Sequence, residues 1–132
     1  MTVDSYDPKS LRTELSDNDL ARLLEAARDL DSNAFGFSLQ EIAELAPLSR
    51  HPDVDWGTPC TNLADDDAIA LIKLYTLAEG QFPSWQAGAK SPVIPLVAEL
   101  KRRGSFPDDL TRWIKSNTEN RFLPYGSLMD RL

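Results

Sequence analysis

The chain has few of the residues from which most enzyme sites are built. Its 132 residues include one cysteine, Cys60, and one histidine, His51. A single cysteine excludes a disulfide within the chain and is typical of a reducing compartment. The usual four-ligand metal sites need further histidines or cysteines, which this sequence does not have. The motifs HExxH, CxxC and GxxxxGK[ST] do not occur either, so no familiar catalytic or phosphate-binding signature is present.

Long apolar runs are also missing. None approaches the roughly 20 residues that a membrane-spanning helix requires. The first ten residues, MTVDSYDPKS, lack the basic flank and apolar core of a signal peptide. We therefore expect a cytoplasmic protein without membrane contact. With 42% hydrophobic and 27% charged residues, the composition is that of one globular domain.

The acidic net charge of −7 is unevenly distributed along the chain. Residues 1–67 carry −10, whereas residues 68–132 carry +3. Either an acidic and a basic face meet within one domain or between two copies of it, or the C-terminal half binds anions. The acidity of the whole chain argues against nucleic acid as a partner.

The stretch from Asp65 to Gly80, DDDAIALIKLYTLAEG, is the one around which the rest must pack. After its acidic start it is apolar at nearly every position, and only Lys73, Thr76 and Glu79 interrupt it. These three share one narrow stripe of a helix because they are spaced by three. A helix that is apolar nearly all round must be buried on most sides.

The other helices are predicted from hydrophobic spacing and end signals. Ser16 caps the first, and Ser38 with Glu41 forms a capping box for the second. The first two predicted helices cover about residues 17–30 and 39–46, and Pro47 closes the second. The third covers residues 65–79, with Asn62 or Asp65 as its cap and a left-handed Gly80 at its end. The fourth starts at Ser91-Pro92 or at Pro95 and is ended by Gly104, and the fifth starts at Ser105. The fold class is all-α: one compact domain of about five helices over residues 16–132, with a loose arm at 1–15 and an apolar C-terminal strap.

The longest irregular segment is predicted over residues 47–64. It holds His51, Asp53, Asp55 and Cys60, a set of side chains that could bind Zn²⁺ or Fe²⁺. A polar loop with an incidental histidine explains the same residues more simply. We therefore assign no metal and no cofactor, and we keep a metal-assisted hydrolase as the third functional hypothesis.

Aromatic and basic residues recur in the C-terminal half, a composition typical of binding anchors. A helix start near Ser91 could also hold a phosphate or carboxylate. The candidate residues for binding a partner or an anion are Trp85, Lys90, Arg102, Arg103, Arg112, Arg121, Phe122 and Tyr125. The alternative is that the aromatic rings belong to the core, the cations are solvated helix ends and the tail is a strap.

Three functions follow in order of preference. The first is a non-enzymatic protein-interaction, adaptor or regulatory module that uses the C-terminal half, with a homodimer as one form of it. The second is binding of an anionic small molecule or nucleic acid by the same half. The third is the metal-assisted hydrolase of the 51–60 loop.

Overall fold

One long helix runs through the middle of the fold, and three of the other described helices pack on its sides. The computed structural model describes residues 16–28, 30, 36–50, 56–88 and 91–125. The helices are α1 (Asp17–Arg28), α2 (Leu39–Arg50), α3 (Gly57–Asn62), α4 (Asp65–Gln81), α5 (Val93–Arg103) and α6 (Leu110–Asn117), with a 3-10 turn at Pro83–Trp85. These described ranges contain no strand, so the predicted all-α class is confirmed. None of the helices in them is long and apolar enough to cross a membrane.

The predicted burial of α4 is confirmed. Helices α1, α5 and α6 and the 3-10 turn all pack against it. Leu71, Ile72, Leu74 and Tyr75 of α4 have no exposed surface. Since burying one such side chain stabilises a fold by about 1.5–3 kcal/mol, α4 supplies a large part of the core.

The two predicted N-terminal caps are also confirmed. The Ser16 hydroxyl accepts from the backbone N–H of Asp19 at 3.1 Å at the start of α1. At the start of α2, the Ser38 hydroxyl accepts from the N–H of Glu41 at 3.1 Å, and the Glu41 carboxylate accepts from the N–H of Ser38 at 3.0 Å. Each pair satisfies backbone donors that a helix start leaves free.

The predicted ends of these helices, near Leu30 and near Ala46, differ from the described ones. Helix α1 covers Asp17–Arg28, and Leu30 is not helical, while the expected end signal at residues 31–33 lies outside the described residues. Helix α2 continues through Pro47 for three further residues. Proline removes the hydrogen bond to the carbonyl four residues earlier; that carbonyl belongs to Ala43, which is exposed, so water can replace the lost donor.

The irregular segment predicted over residues 47–64 is wrong in its second half, where α3 forms. Trp56 lies just before α3 and is buried, with its indole N–H donating to the carbonyl of Leu48 at 2.9 Å. Cys60 is buried as well. Residues 51–55 lie outside the described residues, and so do His51, Asp53 and Asp55 of the predicted metal loop.

The start predicted for α4 at Asp65 is confirmed, but its predicted cap is wrong. The N-cap of α4 is Ala64 without a side-chain cap, so neither Asn62 nor Asp65 has that role. Of the two alternatives for α5, the start at Ser91-Pro92 agrees with the structure, since the helix begins at Val93 after the N-cap Pro92 and not at Pro95. Pro95 is accepted in the first turn because the N–H groups of that turn have no partner within the helix.

The glycine predicted to end α4 does not end it. Gly80 lies inside the helix, which continues to Gln81. Phe82 then leaves the helical region, with φ −112° and ψ 104°, because Pro83 disfavours a helical conformation for the residue before it. The prediction for α5 is confirmed, since Gly104 follows it with φ 76°.

Residues 118–125 form the described part of the predicted strap, and they lie on the chain's own core. Leu123 is 3% exposed, and the hydroxyls of Tyr125 and Thr111 are 2.8 Å apart. Helix α6 begins at Leu110 after a turn, so the start predicted at Ser105 is wrong. Residues 1–15 and 126–132, the predicted arm and the end of the strap, lie outside the described part of the chain.

Candidate functional site

The polar stripe on α4, formed by Lys73, Thr76 and Glu79, is buried or partly buried against the rest of the protein. Lys73 reaches towards the edge of the fold, where its ammonium lies 5.4 Å from the centre of the Trp113 ring. Thr76 has no exposed surface and donates to the carbonyl of Ile72 at 2.7 Å. Glu79 is only 3% exposed. Burial of an ionisable group is costly unless it is fully paired, so the surroundings of Glu79 decide what this stripe does.

Glu79 is only half satisfied by its neighbours. The hydroxyl of Ser91 donates to Oε2 of Glu79 at 2.5 Å, and it accepts from the backbone N–H of Val93 at 3.2 Å. At the start of α5 the hydroxyl of Ser91 therefore binds a carboxylate of the chain itself, and binding of an external anion there stays a prediction. The other oxygen, Oε1, is buried and has no hydrogen-bond partner among the described residues.

This environment makes Glu79 a carboxyl that titrates near neutrality. Burial raises its pKa to about 7, and the hydrogen bond from Ser91 together with the nearby amide of Asn120 opposes the rise. Glu79 also lies in the last turn of α4, where the helix dipole disfavours negative charge. The phenol of Tyr75, one turn earlier, is fully buried, and its hydroxyl has no hydrogen-bond partner within the described part of the chain. Burial, together with the charges of Glu79 and Asp19, raises the pKa of Tyr75 well above 10.

Beside Glu79 the protein has an open cavity of about 750 Å³, which we call the Glu79 crevice. Three segments form its walls: the end of α4, the loop before α5, and the end of α6 with the residues that follow. The wall residues are Glu79, Gly80, Gln86, Gly88, Ser116, Asn117, Thr118, Glu119 and Asn120. Its volume suits a small molecule.

Asn120 holds two of these walls together. Its side-chain amide donates to the carbonyl of Gly88 at 3.0 Å. Its side-chain oxygen accepts from the N–H of Phe122, and its own N–H donates to the hydroxyl of Thr118, both at 3.0 Å. The left-handed φ of 56° at Gly88 favours glycine there. The crevice is thus preformed by backbone turns as well as by side chains.

Trp85, a predicted binding residue, belongs to the core. It has no exposed surface, and its indole N–H donates to the carbonyl of Ile42 at 2.8 Å. Its ring lies about 5.5 Å, centre to centre, from those of Phe37, Tyr75 and Phe82. Phe37 thus packs on Trp85, and Trp85 offers no ring to a partner in this conformation.

Arg103, a second predicted binding residue, is a structural clasp. Its guanidinium donates to the carbonyls of Cys60 and Leu63, at 2.8 and 2.7 Å, at the end of α3. It also pairs with Asp65 at 2.9 Å and with Glu99 at 2.7 Å. Since 18% of its side chain is exposed, Arg103 joins α3, α4 and α5 more than it faces solvent. Its pair with Asp65 links the acidic and the basic half of the chain.

Arg102 has a more open position. It pairs with Glu99 at 2.5 Å, but 66% of its side chain is exposed. Hydrogen bonds from Arg102 and Arg103 lower the pKa of Glu99 to about 2. Arg102 therefore remains available at the surface, and its predicted binding role stays a prediction.

The other predicted binding residues lie on α6 and the strap. Arg112 and Arg121 are exposed, whereas Phe122 and Tyr125 are partly buried. The ammonium of Lys101 lies 4.2 Å from the centre of the Tyr125 ring. The guanidinium carbon Cζ of Arg121 lies 5.9 Å from the centre of the ring of its neighbour Phe122. Lys90 lies outside the described residues. Their role in binding is not tested and stays a prediction.

The carboxyl at the crevice was not among the predicted site residues. Its signal in the sequence was present, since Glu79 interrupts a helix that is otherwise apolar nearly all round. Its partners Ser91 and Asn120 are 12 and 41 residues away, so no local motif marks them. Among the described residues, no group of three or more His, Cys, Asp or Glu is placed to hold a metal ion.

Comparisons of the chain with protein-family models, with curated proteins and with solved structures find no match.

Proposed function

We propose that the protein is a binding domain for a small polar molecule, which it takes up in the Glu79 crevice. The observation that supports this most directly is the carboxyl of Glu79. One of its oxygens is bonded to Ser91, the other is buried without a hydrogen-bond partner among the described residues, and Glu79 contributes to the wall of a 750 Å³ cavity. A buried polar group of this kind destabilises a fold, and such groups concentrate at functional sites.

Binding fits the walls better than catalysis does. A carboxyl with a pKa near 7 can exchange protons at neutral pH, but catalysis also needs a reacting group beside it. The Ser116 hydroxyl donates to the carbonyl of Arg112 at 2.8 Å, and the Thr118 hydroxyl accepts from the N–H of Asn120. These wall hydroxyls therefore serve the backbone, and we infer no nucleophile among them.

The expected protein-interaction module had a weaker basis than the crevice. It was inferred from the excess of apolar residues in loops and tail. Trp56, Trp85 and Leu123, which belong to that excess, are all buried in the chain's own core. Within the described ranges the large hydrophobic residue that is exposed is Leu39, at 86%.

The test is a screen of a fragment library by two-dimensional NMR of the ¹⁵N-labelled protein, with anionic, neutral and cationic members. We expect hits to shift the backbone signals of Glu79, Gly88 and Asn120 together. In Gly80→Leu the new side chain should occupy the part of the crevice beside Glu79 and weaken these shifts, because Gly80 lines the crevice and a Cβ there meets nothing within 4 Å. Gly80→Ala is the matched control and should keep them.

Hits that leave the crevice signals unmoved would contradict the proposal, and so would hits that Gly80→Leu does not weaken. Folding of the variant can be checked separately. Leucine and alanine both have a higher helix propensity than glycine, by roughly 0.5–1 kcal/mol. A thermal midpoint at or above that of the wild type therefore shows that lost binding is not lost folding.

A second candidate function is recognition of an acidic protein surface by the basic face of α5, α6 and the strap. It is favoured by the exposure of Arg102, Arg112, Lys115 and Arg121. Affinity capture from the source cell with the wild type and with Arg112→Glu/Lys115→Glu tests it. A partner lost in the double variant supports this function, whereas equal retention argues against it. A salt-sensitive band shift with RNA would indicate the nucleic-acid alternative instead.

A further inference from the structure

Part of the donor capacity on the wall of the Glu79 crevice is already used within the chain. Ser116 donates to the carbonyl of Arg112 at 2.8 Å, and Asn117 donates to that of Trp113 at 2.8 Å. Asn120 donates to the carbonyl of Gly88 at 3.0 Å. The Ser116 hydroxyl and one N–H of each asparagine amide are therefore engaged, and the carboxyl oxygens of the wall need donors that a ligand brings.

The charges around the crevice also favour a positively charged ligand. Two of its wall residues, Glu79 and Glu119, carry carboxyl groups, and the described part of the wall includes no lysine or arginine. The last turns of α4 and α6 both border the cavity, through Gly80 and Asn117 among others. The C-terminal end of a helix carries a partial negative charge that favours cations.

Glu79 supplies the carboxyl group that such a ligand would contact. Among the described residues its buried Oε1 has no hydrogen-bond partner, and the residue, 3% exposed, contributes to the cavity wall. An acidic lining alone would be an ordinary solvated surface. A carboxylate oxygen held out of water beside a cavity instead requires a donor, and an ammonium group supplies both a donor and the opposite charge.

We propose that the ligand of the crevice is a small organic ammonium ion, whose N–H group donates to Glu79 at the point where the C-terminal ends of α4 and α6 meet. This inference rests on the proposed function and narrows it to one class of ligand. The remaining acceptors of the wall, among them the Asn117 and Gln86 amide oxygens, suit further N–H or O–H groups on the same molecule.

The experiment compares three probes of equal carbon length: butylamine, 1-butanol and butyrate. Each is titrated at pH 8 and low salt, where Glu79 is mainly charged and the amine is protonated. We expect butylamine to shift the signals of Glu79, Gly88 and Asn120 with saturation, and the other two probes to leave them in place. Glu79→Gln should weaken butylamine binding about tenfold or more, as expected for a lost charged hydrogen bond.

The matched control is Asp66→Asn, which removes one negative charge at the other end of the same helix, about 20 Å away at 1.5 Å per residue. We expect it to change butylamine affinity less than twofold. Equal weakening by both substitutions would mean unspecific attraction and would overturn the inference. So would absence of butylamine binding.

The probes also separate the two proposals. Binding of butanol or butyrate in the crevice, at least as tight as that of butylamine, overturns the ammonium inference but leaves a ligand site at which Gly80→Leu should weaken binding. If neither these probes nor any library member moves the crevice signals, both proposals fail.

Discussion

Replacing Glu79 by glutamine should remove the contribution of this carboxyl to the pH dependence of folding stability. The pKa of Glu79 is about 7 in the folded protein, compared with an ordinary value of 4.5 for the unfolded chain. Between these two values the folded state keeps a proton that the unfolded state has lost. Stability contributed by this group is therefore complete below pH 4.5, falls as the pH rises towards 7, and stays low above that.

The size of the effect follows from the two pKa values. At 1.36 kcal/mol for each pKa unit, the interval from 4.5 to about 7 corresponds to about 3 kcal/mol lost between pH 4.5 and pH 8. Glu79 is 3% exposed, so screening by solvent does not reduce this figure much. Glutamine keeps the shape but does not titrate, and the Gln variant should lack this loss.

The assay is urea unfolding followed by tryptophan fluorescence, because Trp56 and Trp85 are buried against Tyr75 and will report loss of the core. The free energy of unfolding of Glu79→Gln minus that of the wild type should rise by about 3 kcal/mol from pH 5 to pH 8. Any cost of burying the amide is the same at both pH values and cancels. The effects of other titrating groups that do not contact residue 79 cancel as well.

Two controls complete this experiment. Asp66→Asn removes an exposed negative charge from the start of the same helix and measures the general effect of charge on unfolding. An NMR titration of the Glu79 carboxyl carbon should give a midpoint near 7. If the difference in free energy of unfolding between Glu79→Gln and the wild type changes by less than about 1 kcal/mol across the pH range, this carboxyl does not have the raised pKa that its burial implies.

Three further results are expected. Ser91→Ala removes the donor that favours the ionised carboxyl of the crevice, so an NMR titration should show its pKa raised from about 7 to about 8; an unchanged or lower midpoint would contradict the bond. In urea unfolding, Arg103→Ala should lose roughly two to three times as much stability as Arg102→Ala, because it gives up bonds to α3 and α4 as well as to α5; equal losses would argue against the clasp. In the same urea unfolding assay, Gly104→Ala should destabilise the fold by about 1 kcal/mol because residue 104 has a left-handed φ, whereas Gly80→Ala inside α4 should stabilise it by a similar amount. Effects of the same sign would contradict the different conformations of the two glycines.

The two glycines also show which end signals can be interpreted from the sequence. Gly80 and Gly104 both follow strongly helical stretches, but only Gly104 has a left-handed conformation. Helix α4 ends at Gln81, one residue beyond Gly80, because Pro83 disfavours a helical conformation for Phe82. The proline was therefore the better signal. It acts through a steric clash that disfavours a helical conformation for the preceding residue, whereas a glycine permits a turn without requiring one.

Pro47 and Pro95 show the opposite case, in which a proline did not end or delay a helix. Pro95 lies in the first turn of α5, where its missing N–H has no partner to lose. Pro47 lies inside α2, and the carbonyl left without a donor is that of exposed Ala43. Whether water can reach that carbonyl depends on the tertiary packing, which hydrophobic periodicity near the proline does not encode.

The capping signals were interpretable because they act within three residues. The Ser38 and Glu41 pair has the predicted reciprocal bonds, and Ser16 has the predicted bond to Asp19. The contacts of Arg103 are of another kind, since its carbonyl partners Cys60 and Leu63 lie about 40 residues earlier. In the sequence Arg103 is one of three adjacent cations, and nothing local distinguishes it from exposed Arg102.

The same reasoning accounts for why the crevice carboxyl was missed although its helix was understood. The sequence showed that α4 is apolar nearly all round, and burial on most sides follows from that. A buried helix leaves its polar stripe three physical options. Thr76 uses the first, a bond to its own backbone, and Lys73 uses the second, a long stem that carries its charge towards the edge. Glu79 is too short for the second and has no hydroxyl for the first, so it must either find donors from other segments or remain partly unpaired beside a cavity. A carboxylate on an otherwise apolar helix is therefore a sequence signal for a site, and the segment that completes the site has to be found in the fold.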